Sequence, residues 1–133
     1  MTAELSDVDP FDLPEWLGVC DVTWSADSGV RSGHDVRGCL VAEDHELACD
    51  LIAVDSAWPE PVADEATRVR AHQAWRHGQV HLVRRADRLT LAVPGAGFTA
   101  DLVLDALSRL AKAVGASADH YTARLRIGTE RSR

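Results

Sequence analysis

Residues 35–54 read DVRGCLVAEDHELACDLIAV, two apolar runs separated by EDH, and this pair constrains the fold more than any other stretch. Polar turn residues between two runs of strand length make a β-hairpin. With a turn of two or four residues, Ala42 faces Leu47, Leu40 faces Cys49, Cys39 faces Asp50 and Gly38 faces Leu51, so the most apolar faces coincide. A one-residue slip would turn them apart. The second run is apolar on both faces, which places it centrally in a sheet.

Asp50 interrupts that second run. A carboxylate among aliphatic side chains is costly to keep charged, so a pairing, catalytic or interface role is the question it raises. In the register above, Arg37 is its diagonal neighbour on the same face, and an ion pair between them is expected, contributing about 0 to 1 kcal/mol at a surface. Ile52 and Val54 share the face, as do Arg124 and Arg126 from the last strand, so this side of the sheet reads as a mixed interaction surface.

The remaining elements follow from periodicity. FDLPEWLG (11–18) forms a short helical turn, and CDVTWSA alternates with Cys20, Val22 and Trp24 on one face. Two prolines with acidic residues at one end and Arg-His-Gly at the other delimit a helix over about 62–77, with Val62, Ala66 and Val69 as its stripe. QVHLVRR and DRLTLAV form a second hairpin with Leu82 opposite Leu91. TADLVLDALSRLAKAVGA is an amphipathic helix buried through Val103, Leu107, Leu110 and Val114, and HYTARLRI is a half-buried last strand. The fold class is therefore α+β: a twisted, mostly antiparallel sheet with helices on one face, in the order α-β-β-β-α-β-β-α-β. One domain spans 11–128, between an acidic, frayed N-terminus (1–10) and a basic tail (129–133).

Charge is unevenly distributed. The net charge is −7, but residues 1–65 carry −14 and residues 66–133 carry +7. Such polarity suits two halves packed together or two molecules meeting head to tail. The overall sign argues against general nucleic-acid binding; an RNA-binding role resting on Arg124 and Arg126 is the weakest of the readings. Cys20, Cys39 and Cys49 lack a CxxC spacing and are expected as small buried hydrophobes, with no disulfide or metal role. The N-terminus shows no signal-peptide pattern and no run is long enough to span a membrane, so a cytoplasmic location is expected.

Candidate chemistry is sparse. PGAGFTA places Gly95, Gly97 and Ala100 in a GxGxxA pattern, but the strand before it reads as a hairpin arm, so a turn with Thr99 capping a helix is expected. His72 and His77 differ by five on a helix and point apart, against the three or four a zinc pair needs. No nucleophile elbow or framed carboxylate pair appears, so no catalytic, metal or cofactor residue is assigned. Of four tryptophans, Trp24 faces the core. Trp16 and Trp58 lie in connecting segments, where an aromatic is a lid over the core or an anchor for a partner, and Trp75 lies off its helix stripe.

The order of elements over residues 46–115, with Trp75 near the end of the middle helix in QAWRHGQ, resembles the secretion-chaperone-like fold of type III secretion chaperones and of small bacterial sensory-transduction regulators. The resemblance implies a compact domain that dimerises and binds another protein, and carries no catalytic or cofactor residue. The short first helix and the added last strand depart from it. The expected function is a non-catalytic protein-interaction domain, an adaptor, inhibitor or regulator acting as a homodimer on a protein partner through Trp16, Arg37, Asp50, Ile52, Val54, Trp58, Trp75, Arg124 and Arg126. The alternative is a small-ligand or nucleotide-binding enzyme using the Gly95–Ala100 turn.

Overall fold

A computed structural model describes residues 5–27, 35–55 and 64–125. The chain forms β1 (Ser6–Asp7), a 3-10 turn, α1 (Trp16–Val19), β2 (Val22–Ala26), β3 (Asp35–Val36), β4 (Gly38–Ala42) and β5 (His45–Ala53). It continues with α2 (Glu65–Arg76), β6 (His81–Arg85), β7 (Arg88–Val93), α3 (Ala100–Ala113), a second 3-10 turn and β8 (Tyr121–Arg124). The α+β class holds, and the order differs from expectation only at the N-terminus and at the split of one strand into β3 and β4. Trp58, Arg126 and Val62 lie outside the described residues.

The strands form one mixed sheet in the order β1-β6-β7-β5-β4-β2-β8, with β3 also on β5. Five pairings are antiparallel, but β5–β7 and β2–β8 are parallel. Side chains alternate alike in parallel and antiparallel strands, so the sequence pattern carries no signal for this difference. The second hairpin has the expected register, with Leu82 opposite Leu91. Its two turn residues, Ala86 and Asp87, both take positive φ, the backbone that matches strand twist in a two-residue hairpin.

The first hairpin turns through two residues, Glu43 and Asp44, so Ala42 meets His45 and Cys39 meets Ala48. This corrects the expected pairing by two residues. A shift of two preserves which face each side chain occupies, so the expected faces survive and the partners change.

The helices flank the sheet on both sides, a second difference from the expected one-sided packing. The larger core holds Trp24, Leu40, Leu51, Leu91 and Val93 with Val103, Ala106, Leu107 and Leu110 of α3. The opposite face holds Ile52, Val54, Val83 and Ala92 under Ala71 of α2. The residues of α2 that go inside are Thr67 and Ala71, whereas Val69 is exposed. Small side chains four apart let this helix lie close to the sheet, and its weak apolar stripe made the wrong face look buried.

Residues 5–8, assigned from sequence to a frayed end, instead add an edge strand. Leu5 packs into the smaller core, and Asp7 pairs across to Val83. The Asp7 carboxylate lies 3.5 Å from both Arg70 of α2 and the His81 Nε2 of β6. That nitrogen is buried without a hydrogen-bond partner among the described residues. Burial lowers the His81 pKa, with Asp7 opposing and Arg70 reinforcing the shift. Protonation therefore favours the unfolded chain: this contribution to stability is complete above about pH 6.5 and is lost as pH falls through the folded-state value. Urea melts between pH 7.5 and 5 should show stability falling with pH by at most about 1.4 kcal/mol per unit from this group. In His81→Gln that component should vanish; equal pH slopes for the two proteins would show that another group dominates.

Candidate interaction surface

Among the described residues, α2 covers only half of its side of the sheet. Over β6, β7 and the end of β5 the helix buries Ile52 and Val54 to 1% exposure each. Over β8, β2, β4 and the start of β5, no described element lies on this face. Thr122, Arg124, Asp27, Val41 and Glu46 are exposed, and Thr23, Ser25, Cys39 and Ala48 are half-buried. Cross-strand registers order them in rows. Arg124, Ser25, Cys39 and Ala48 lie level with one another; Thr122, Thr23, Val41 and Glu46 form the next row.

Asp50 marks the boundary between the covered and open halves. It is 6% exposed, and its partner is Arg88 of β7, not Arg37. Arg88 Nε donates to Asp50 Oδ2 at 2.9 Å and Nη2 donates to Oδ1 at 2.8 Å, a bidentate fork. Arg37 lies opposite Asp50 in register but points to solvent. These hydrogen bonds raise the pKa of a guanidinium that is already always charged.

The same cluster repairs a gap in the sheet. Strand pairing lapses between β3 and β4, at Arg37 and the start of Gly38's contact with β5. There the Gly38 N–H donates to Asp50 Oδ1 at 3.1 Å, the Gly38 carbonyl accepts from Arg88 Nη2 at 3.0 Å, and the Cys49 carbonyl accepts from Trp24 Nε1 at 2.8 Å. Three side chains thus satisfy backbone groups that the ladder leaves open, and buried backbone groups left unpaired would each cost about 1–3 kcal/mol. This is the physical reason for a carboxylate in the most apolar strand.

Beside the pair, Asp27, Cys39, Glu46, Ala48 and Arg88 line an open cleft of about 350 Å³. The Cys39 thiol donates to Glu46 Oε2 at 3.1 Å. Burial first, then the Glu46 hydrogen bond and charge, push its pKa up to about 11. A thiol so placed is a weak nucleophile. At pH 8 its alkylation should run roughly a hundredfold slower than that of an unperturbed thiol, because about two pH units separate the two thiolate populations. Glu46→Gln should speed it, as followed by mass spectrometry with iodoacetamide; a rate unchanged by that substitution would remove Glu46 as the cause.

The other predicted residues scatter. Trp16 packs half-buried on the larger core and stacks on His45 with ring centroids 5.1 Å apart, a lid on the face opposite the cleft. Trp75 is likewise half-buried, capped by the Arg109 guanidinium 3.6 Å above its ring. Ile52 and Val54 are sealed beneath α2, which removes them from any accessible surface. Arg37, Asp50 and Arg124 share the face that holds the cleft. Asp27, Cys39, Glu46 and Arg88 were missed. Arg88 opens a strand after a tight turn, where a solvated cation is ordinary, and only the parallel β5–β7 pairing brings it to Asp50.

Elsewhere, Thr99 caps α3 as expected, accepting the Leu102 N–H at 3.2 Å. His72 Nε2 lies 2.8 Å from Asp55 Oδ1. Among the described residues no group of three or more His, Cys, Asp or Glu is arranged to hold a metal, and no helix is long and apolar enough to cross a membrane. No family model, curated protein or solved structure matches the chain.

Proposed function

We propose that this protein is a non-catalytic, secretion-chaperone-like interaction domain, an adaptor, inhibitor or regulator, that works as a homodimer and docks protein through the open half of its sheet. The observation that carries this reading is the face of β8, β2, β4 and the start of β5, on which no described element lies. A bidentate, buried ion pair borders it, and it mixes exposed Val41 with charges of both signs. Central desolvated contacts ringed by polar groups are what docking surfaces use. Sedimentation equilibrium from about 1 to 500 μM should show reversible dimers, with slowed amide exchange on β2 and β4 at the higher concentrations. A strict monomer with concentration-independent exchange would overturn the homodimer reading.

A second reading rests on a different feature. Parallel β5 and β7 end together, where the Asp55 N–H donates to the Gly95 carbonyl at 3.2 Å and Asp55 meets His72. Carboxyl ends of parallel strands are a common position for small ligands. A nucleotide bound there at a hundred times its Kd would stabilise the fold by about 2.7 kcal/mol in a thermal-shift assay. An unchanged melting temperature across a nucleotide panel removes this alternative.

A further inference from the structure

We infer that Phe11 is the anchor of a further docking site, whose occupant is another protein with an apolar pocket rimmed by lysine or arginine. The site does not depend on the open sheet face. Phe11 is 95% exposed, the most exposed large apolar side chain among the described residues. A single apolar side chain in water is ordinary. What sets this one apart is the construction beneath it.

Pro10–Asp12 form a 3-10 turn with Phe11 at its crown. The Phe11 N–H donates to the Asp9 carboxylate at 3.0 Å, the Asp12 N–H to the Asp9 carbonyl at 2.9 Å and the Leu13 N–H to the Pro10 carbonyl at 3.1 Å. Pro10 fixes its own φ. The turn is also tied down on both sides: the Val8 N–H donates to the Leu82 carbonyl at 3.0 Å, and Leu13 packs on the larger core. The backbone under the ring is therefore ordered before anything binds, and the ring itself has only two torsions left to fix. Preorganisation of this kind lowers the entropy lost on docking.

Charge selects the occupant. Between Val8 and Cys20 the chain carries Asp9, Asp12 and Glu15 and no basic residue. None of the three forms an ion pair among the described residues. An aromatic ring among carboxylates complements an apolar pocket with a cationic rim. The same charges disfavour other occupants. Membrane anchoring uses basic neighbours that meet anionic lipid, and stacking on nucleic acid would bring carboxylates against phosphate. In a second copy, the cleft beside Arg88 presents two carboxylates of its own, Asp27 and Glu46.

The test is photo-crosslinking of the full chain in the cells that make it, with Asp12→p-benzoylphenylalanine placed beside the intact anchor and the product identified by mass spectrometry. One protein should be captured, and capture should be lost when Phe11→Ala is added. With that protein purified, Phe11→Ala in the otherwise unaltered chain should raise Kd about tenfold or more, as expected for a central aromatic anchor. Asp12→Asn with Glu15→Gln should raise it by roughly threefold and flatten its salt dependence. Unchanged melting temperatures will show that these exposed-site variants fold. No captured protein, capture of lipid, nucleic acid or a second copy alone, or a Kd that Phe11→Ala leaves unchanged would each overturn the inference. The homodimer reading is decided separately by sedimentation.

Discussion

Adding one methyl group at position 38 should cost this protein about 3 kcal/mol of stability, at the upper end of the range for overpacking a filled core. A Cβ on Gly38 would stand 2.4 Å from Cζ2 and 2.5 Å from Cε2 of Trp24. The indole cannot swing aside. It is fully buried and its Nε1–H is committed to the Cys49 carbonyl. Nor can the backbone retreat, because the Gly38 N–H and carbonyl are held from the other face by Asp50 and Arg88. Gly38→Ala should therefore shift the urea midpoint sharply, and its damage should be coupled to the tryptophan. In a Trp24→Phe background, where the smaller ring leaves the Cζ2 end of the indole site empty, the added methyl should cost less than half as much. Equal costs in the two backgrounds would mean that the strain lies elsewhere.

Replacing Arg88 with methionine should cost about 3 kcal/mol, toward the low end for breaking a buried ion pair because the guanidinium is about a quarter exposed while the Asp50 side chain is 8% exposed. The expense is the carboxylate left behind more than the attraction lost. The double variant Asp50→Asn, Arg88→Met should accordingly recover much of the stability, since a neutral amide oxygen can still accept the Gly38 N–H without holding a charge out of water. Urea denaturation of the single and double variants separates these contributions. If the double variant is the less stable of the two, the pair contributes through its attraction and the orphan-charge account is wrong.

Much of the architecture was legible in alternation. Both hairpins, the amphipathic α3 and the inward faces of β2 and β8 follow from period-two and period-3.6 patterns, and the Leu82–Leu91 register was read correctly. Three things were hidden for physical reasons. Strand direction leaves no trace in alternation, so the β5–β7 pairing and with it the Arg88 partner of Asp50 were invisible. A two-residue register shift preserves faces, so EDH could not show that only Glu43 and Asp44 form the turn. Helix α2 buries Thr67 and Ala71, side chains too small and too polar to outweigh the exposed Val69 in a hydrophobic pattern. Asp50 does carry a pair, but with Arg88 and not with Arg37, because the hairpin pattern places only Arg37 near it and leaves the position of β7 in the sheet unspecified.

The parallel β2–β8 ladder also bears on how the chain reaches its native state. The Thr23 and Thr122 hydroxyls meet although 99 residues separate them, so that ladder closes a loop almost as long as the domain. The β4–β5 and β6–β7 hairpins close two-residue turns, within the microsecond range of local events. A topology this rich in distant contacts folds more slowly than a helical bundle of equal size, because loop-closure entropy is spent before the long-range pairs form. The open face has the same dependence: two of its four strands belong to that long-range ladder, so the surface is complete only once the two ends of the domain have found each other.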